Sequence, residues 1–423
     1  VTYQVKRLRH HACLALWCGN NEVEMLWGLW KRHRQLTQAC EEFFYHRLPQ
    51  LVAEHDPDRP YWFSSPSSGR FMQQTNADEA GDTHLWQVWH GLKPFTYYRS
   101  RLTRFCSEFG LEALPSLETI AAFAKPEEHT LYSRVMRHHQ RSAGGNDRLI
   151  YYLTGRFRLP RRFVDLIYLT QIVQAEAVRI GVEHWYRNFP RCAGALYWQL
   201  NDCWYVISWS SIDFEGRWKA LQYMARRFFA PLALSIEEDG NERRVYAINE
   251  TLSPWQGSLR WSLEKLDGEV IKAGDLSIAL PAQLVSRLCE LDFSAQLRQH
   301  SPRELVFIAE LQQDQQTLAR RLSTFLPEKD LSLPDPRLSV EVAQREDTLL
   351  IEVTAQALAR FVTLSLTGAD MIFSDNFFDL PAGRSVHLTC PLPAGWDLDQ
   401  ARRALQVRSL ADVTPARSKL ADR

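Results

Sequence analysis

The sequence predicts an α/β region followed by all-β ones. Residues 1–231 read as part of a (β/α)8 TIM barrel, strands four to eight, and residues 232–330 and 331–423 as two immunoglobulin-like β-sandwich domains. Three observations carry this. Up to residue 231, short apolar runs alternate with segments of helical apolar spacing. Past Pro231 the pattern changes to short alternating runs separated by turn residues such as Leu266-Asp267-Gly268. Two of the early apolar runs lead into a glutamate, Glu22 and Glu108, 86 positions apart. A barrel of about 250 residues spends roughly 31 per strand-helix unit, so three units separate them, a spacing that suits strands four and seven.

Taken in order, residues 3–10 form the end of a basic amphipathic helix, and Cys13 to Trp17 a strand that delivers Asn20, Asn21 and Glu22 at its carboxyl end. Residues 23–52 carry helical spacing, with Trp27 and Trp30 close behind the glutamate. Tyr61-Trp62-Phe63 is a second strand and Leu85 to Trp89 a third, separated by a polar loop that includes Asn76 to Thr83. Arg101 to Cys106 is the strand leading to Glu108, and Ser116 with Glu118 starts a helix. Residues 161–185 are helical, and Ala193 to Trp198 is the last barrel strand. That makes five strands where a closed barrel has eight, so the first three are expected upstream of Val1, in a missing N-terminal part of the same protein. In the sandwiches, strands are expected at Arg243 to Ile248, Ser258 to Leu263, Leu305 to Leu311, Thr348 to Thr354, Phe361 to Leu366 and Ser385 to Cys390. The tail is expected to fray from about Asp412.

Composition narrows the function. Lysine plus arginine equals aspartate plus glutamate, 50 against 50, so no net field draws the chain to nucleic acid or an anionic membrane. No apolar run approaches the ~18 residues of a membrane span, and the first residues do not form a signal peptide. The eight cysteines lack metal-ligand spacing and read as reduced thiols in a reducing, cytoplasmic setting, without structural zinc. No phosphate-binding glycine pattern appears, and no cofactor is expected. A neutral partner such as a sugar is compatible with this balance, as is a homodimer. Most of the 14 tryptophans precede residue 220, where their rings serve either core packing or flat platforms for sugars. Trp30, Trp86 and Trp89 stand open between these two roles.

Glu22 and Glu108, each beyond an apolar run, are candidates for one site. Taken alone, Glu22 could instead cap the helix that follows it, and Glu108 could belong to a structural ion pair.

The runs Trp17-Cys18-Gly19-Asn20-Asn21-Glu22, Ser107 to Ile120 (SEFGLEALPSLETI) and Gly194 to Leu232 closely resemble the β-mannosidases of glycoside hydrolase family 2. The resemblance implies a retaining exo-glycosidase that removes terminal non-reducing β-D-mannose, with Glu22 as acid/base and Glu108 as nucleophile. It also implies that Asn21, preceding the acid/base, contacts the sugar 2-hydroxyl, and that Trp198 is the platform beneath the sugar. Such a mechanism uses one carboxyl to protonate the leaving oxygen and another, about 5 to 5.5 Å away, to attack the anomeric carbon. Arginine or amide donors are expected near Glu108 to keep it ionised. Asp202 and Asp213 are left with structural roles. The alternatives are another family 2 exo-glycosidase, a β-galactosidase or β-glucuronidase, and an inactive sugar-binding fragment.

Overall fold

The computed structural model describes residues 1–29 and 34–413. They divide into two compact units, Val1–Gly110 with His184–Trp198, and Leu111–Glu183 with Gln199–Arg423.

In the first unit, helix α1 (Thr2–Leu8) buries Val5 and precedes strand β1 (Trp17–Cys18). Helices α2 (Val23–Leu29), α3 (Arg34–Glu41) and α4 (Leu48–His55) follow, with a π-helical segment, Glu42–Arg47, joining the last two. Strand β2 (Tyr61–Trp62) pairs with β1 in parallel, and β3 (Thr83–Leu85) pairs in parallel with β4 (Cys106–Phe109). The expected strand from Leu85 to Trp89 is displaced toward the N-terminus. From Trp86 on the chain turns, with His90 N donating to Trp86 O (2.7 Å) and Lys93 N to Gln87 O (3.0 Å), which removes backbone groups a strand would offer its neighbours. The strand expected from Arg101 to Cys106 likewise begins only at Cys106. The carbonyls of Arg101 and Leu102 accept instead from Trp185 Nε1 and Arg191 Nε, both at 3.2 Å. Residues 193–198 run beside β4 without forming a regular strand: Ala195 bridges Cys106 in parallel, Leu196 N donates to Cys106 O (2.8 Å) and Trp198 N to Phe109 O (2.9 Å). Among the described residues this unit holds small parallel pairs rather than one broad sheet.

The second unit begins with α5 (Leu117–Ala121), whose N-cap Ser116 accepts from Thr119 N, then α6 (Arg134–His138), α7 (Gly145–Arg156), α8 (Phe163–Arg187, its last four residues counted with the first unit) and α9 (Ala220–Phe228). Two β-sandwiches follow. The first joins sheet β5 (Leu232–Asp239), β6 (Glu242–Asn249) and β9 (Leu284–Asp292) to a four-stranded sheet. That sheet is formed by β7 (Trp255–Lys265), β8 (Val270–Leu280), β10 (Leu305–Gln313) and β11 (Gln316–Thr324), with α10 (Ser294–Gln299) before β10. Alternate residues turn inward, so Leu234, Ile236, Val245, Ala247, Phe293 and Phe307 share one core. Gly268, at φ +99°, makes the tight β7–β8 hairpin that a Cβ would strain.

The second sandwich pairs β12 (Ser339–Arg345), β13 (Thr348–Thr354) and β16 (Ser385–Pro391) against β14 (Ala359–Leu366), β15 (Phe378–Leu380) and β17 (Leu405–Arg408). Its core includes Leu349, Ile351, Val353, Val362, Leu364 and Leu388. Helix α11 (Leu398–Ala404) precedes β17, and α12 (Leu410–Val413) holds Asp412, whose carboxylate accepts from Ser409 N (2.6 Å); the tail past residue 413, where fraying was expected, lies outside the described residues. All eight cysteines are free thiols. Among the described residues no helix is long and apolar enough to cross a membrane.

Candidate active site

Beyond β1 the parallel pairing continues residue by residue. Gly19 N donates to Trp62 O (2.8 Å), Ser65 N to Asn20 O (2.9 Å) and Glu22 N to Ser65 O (2.7 Å). Gly19 is required because a Cβ there would sit 2.3 Å from the Tyr61 hydroxyl and 2.4 Å from Phe63 O. The cap on α2 is supplied by Asn20, not Glu22: Asn20 Oδ1 accepts from Val23 N (3.1 Å) and Ser64 Oγ (2.7 Å), while its Nδ2 donates to Phe63 O (3.2 Å). Glu22 itself, just before α2, takes a left-handed backbone, φ 61°, and its carboxyl meets His84 rather than the helix N-terminus.

Glu108 lies within β4, in register with His84 of β3, and is almost fully buried. The two glutamates converge on one nitrogen. His84 Nδ1 is 2.8 Å from Glu22 Oε1 and 3.1 Å from Glu108 Oε2. Trp86 Nε1 donates to the same Glu108 oxygen at 3.0 Å. The groups facing Glu108 are thus an imidazole and an indole, where arginine or amide donors were expected; β3 runs alongside β4 and brings its own side chains within reach. Burial pushes the Glu108 carboxyl above its ordinary range, His84 and the Trp86 donor pull it down, and Glu22 pushes it up again.

Behind this pair lies a polar network. His84 Nε2 is 2.9 Å from Ser65 Oγ, and both Ser65 Oγ and Ser107 Oγ donate to Asp82 Oδ2 at 2.5 Å. Asp82 Oδ1 accepts from Trp62 Nε1 (2.9 Å) and Ser67 N (3.0 Å). The Asn76 amide clamps the backbone of His84 from both sides, donating to its carbonyl and accepting from its N–H, each at 2.9 Å. One donor atom each from Glu22, His84 and Glu108 falls within a 4.8 Å span, the one such group among the described residues that could close on a cation. Its nitrogen-oxygen distances are those of hydrogen bonds, so a shared proton accounts for it.

The remaining candidates separate. Asn21 is exposed next to Glu22, its backbone bridged to Ser65. Trp198 is 41% exposed at the end of the segment beside β4. Trp86 is half-buried against Glu108. Trp89 is a correction: it is wholly buried, so its ring offers no face to a ligand and serves the core. Trp30 lies outside the described residues. Asp202 accepts from Ser208 Oγ (2.6 Å) and Ser210 Oγ (2.7 Å), and Asp213 from Thr119 Oγ1 (2.7 Å), both as buried loop anchors. His84 was not singled out from the sequence, although Asp82, His84 and Trp86 recur at every second residue. That is the spacing of one strand face.

Two carboxylates converging on one point are the device by which glycoside hydrolases cleave a glycosidic bond. A mannosidase Ig/CBM-like domain model matches residues 241–330 and an Ig-fold domain model, Ig_mannosidase, matches residues 333–413. The β-mannosidase of Capra hircus is 30% identical over 429 residues, covering 89% of this chain and 46% of that protein. β-Mannosidase B of Aspergillus fumigatus is 35% identical over 260 residues, covering 57% of this chain and 30% of that protein. The β-D-mannosidase structure from Dictyoglomus thermophilum superimposes with a TM-score of 0.88 at 30% identity, covering 96% of this chain and 50% of that one. An exo-chitosanase from Amycolatopsis orientalis shares the fold, with a TM-score of 0.69 at 17% identity over 98% of this chain and 51% of that one. The chain belongs to the β-mannosidases of glycoside hydrolase family 2. It spans about half the length of the curated relatives it matches.

Proposed function

We propose that these residues carry the catalytic pair of a retaining exo-β-mannosidase, acting on terminal non-reducing β-D-mannose of β-mannosides and manno-oligosaccharides. Glu108 attacks the anomeric carbon while the departing oxygen takes the Glu22 proton; water then gives a proton to Glu22 and its oxygen displaces Glu108. The observation that carries this is the approach of both carboxylates to His84 Nδ1, with donor atoms inside 4.8 Å. Inverting enzymes hold their carboxyls about 6.5 to 9.5 Å apart to admit a water, so the short separation supports double displacement. The β-mannosidase relatives support mannose as the sugar. In this reading Asn21 meets the 2-hydroxyl, Trp198 lies under the sugar ring and Trp86 orients Glu108.

The same proposal reads β1, β2, β3, β4 and residues 193–198 as strands four to eight of a (β/α)8 barrel. The other three strands come from sequence outside these residues, as an N-terminal part of the same enzyme. Residues 232–330 and 331–423 are its two sandwich domains. A cytoplasmic location and a homodimer remain part of the proposal, the second read directly by sedimentation.

In an active enzyme carrying these residues, Glu22→Ala and Glu108→Ala each lower turnover by several powers of ten, and azide restores Glu108→Ala with inversion of the product. Absence of rescue in both variants overturns the assignment. A panel of p-nitrophenyl glycosides gives its highest kcat/KM with the β-D-mannoside; a preference for the galactoside or glucuronide replaces mannose as the substrate. Calorimetry with mannose beside a turnover assay, on the 423-residue chain, separates binding from catalysis.

A further inference from the structure

His84 is 1% exposed and every polar atom of its ring has a partner. The positions of its protons follow from counting donors. Four groups able to donate surround the two Asp82 oxygens, Ser65 Oγ and Ser107 Oγ on one, the donor-only Trp62 Nε1 and Ser67 N on the other, a set that matches a carboxylate. Asp82 is therefore an acceptor only, and the single Ser65 hydroxyl proton points to it across 2.5 Å. Ser65 Oγ then has only lone pairs to offer His84 Nε2 at 2.9 Å, so Nε2 carries a proton. At the opposite edge, Nδ1 faces Glu108 Oε2 at 3.1 Å and Glu22 Oε1 at 2.8 Å. With Glu108 as an ionised nucleophile, which rests on the function proposed above, Nδ1 must donate as well.

We propose that His84 is held as an imidazolium by the Asp82–Ser65 pair, and that this fixed positive charge between Glu22 and Glu108 is a positioning device of the active site. The ring transfers no proton during the reaction. Its charge favours the ionised form of Glu108 against the cost of burial, and its forked Nδ1–H sets the separation of the two carboxylates. Among the described residues, the charged groups facing the ring are Glu22 beyond β1, Asp82 through Ser65, and Glu108 on β4. Asn76 fixes the backbone from which the ring projects.

The test that needs no turnover is nitrogen NMR of the chain labelled with 15N-histidine at neutral pH, the His84 signals being those lost in His84→Asn. Both ring nitrogens of His84 carry protons, and Asp82→Asn or Ser65→Ala returns the ring to a single proton. A singly protonated ring in the unsubstituted chain overturns the proposal. In an active enzyme, His84→Asn keeps a donor but removes the charge, so the acid limb of kcat/KM moves up by about one pH unit. A fall in kcat with the limb unmoved assigns His84 to structure alone and also overturns the proposal. Azide rescue of Glu108→Ala is read independently, so a failure of the catalytic assignment is distinguishable from a failure of the imidazolium.

Discussion

Glu108 sits among opposing influences, and their balance has a kinetic consequence. Burial outweighs the pull of His84 and Trp86, so its carboxyl ionises above the ordinary range. In its proposed role as nucleophile Glu108 must be ionised, so in an active enzyme carrying these residues kcat/KM is expected to rise with pH through that raised value. Trp86→Phe removes the 3.0 Å indole donor, and hydrogen bonds to charged groups are worth about 1.5 to 3 kcal/mol. The expected result is a ten- to hundredfold lower kcat/KM with the acid limb moved further up, read from a pH-rate profile. Glu112 offers a parallel case in stability. Wholly buried, it is pushed up to about 8 by desolvation, partly offset by the Gln140 amide and Lys219. Between the ordinary carboxylate range and pH 8 the folded state holds a proton the unfolded state has lost, so stability falls as pH rises, by about 1.4 kcal/mol per pH unit. Glu112→Gln removes that slope, and its Tm relative to the unsubstituted chain climbs from pH 5 to pH 8. Glu22 and Glu108 were legible because each lies beyond an apolar run. His84 was hidden because its partners come from three other segments, which spacing along one chain does not reveal.

At the scale of elements, the proposed catalytic geometry depends on strands of two to four residues held by particular side chains. Asn20 ties the start of α2 to Phe63 and Ser64, so Asn20→Ala costs about 1 to 2 kcal/mol in denaturant unfolding and also lowers kcat by freeing Glu22. Gly194→Ala drives a Cβ to 2.3 Å from the Phe105 ring and is expected to loosen the segment beside β4, measured as faster amide exchange at Cys106 and Leu196. Strands this short carry too few residues for periodicity to set their ends. The sequence therefore placed runs at 85 and 101 within a few residues of β3 and β4 but misjudged where pairing begins, which backbone capture by turns and by Trp185 and Arg191 decides. The sandwich strands, mostly seven to eleven residues long, carry more residues per pattern, and Thr348–Thr354, which alternates in its burial, was readable to the residue.

On the scale of the whole chain, the second unit holds a buried ion network that no local pattern announces. Glu328 accepts from Arg156 Nη2 (2.6 Å) and Arg360 Nη2 (3.3 Å), Arg360 reaches Asp379 (2.8 Å), and Glu176 and Glu183 flank Arg179 at 2.8 and 3.1 Å. Its members are separated by up to 172 residues between direct partners such as Arg156 and Glu328. Removing one partner strands the others, so Glu328→Ala is expected to cost about 3 to 5 kcal/mol, read by chemical denaturation. Within this network the arginines hold Glu176 well below the ordinary carboxylate range despite its desolvation. That stabilisation is present above the range and lost as pH falls, which gives the unit an acid-labile side. The central claim, however, concerns two glutamates. Incubation of an active enzyme carrying these residues with a 2-deoxy-2-fluoro-β-D-mannosyl fluoride, followed by peptide mass spectrometry, traps the glycosyl intermediate. A sugar bonded to Glu108 is the predicted result, and a sugar bonded to any other carboxylate contradicts it.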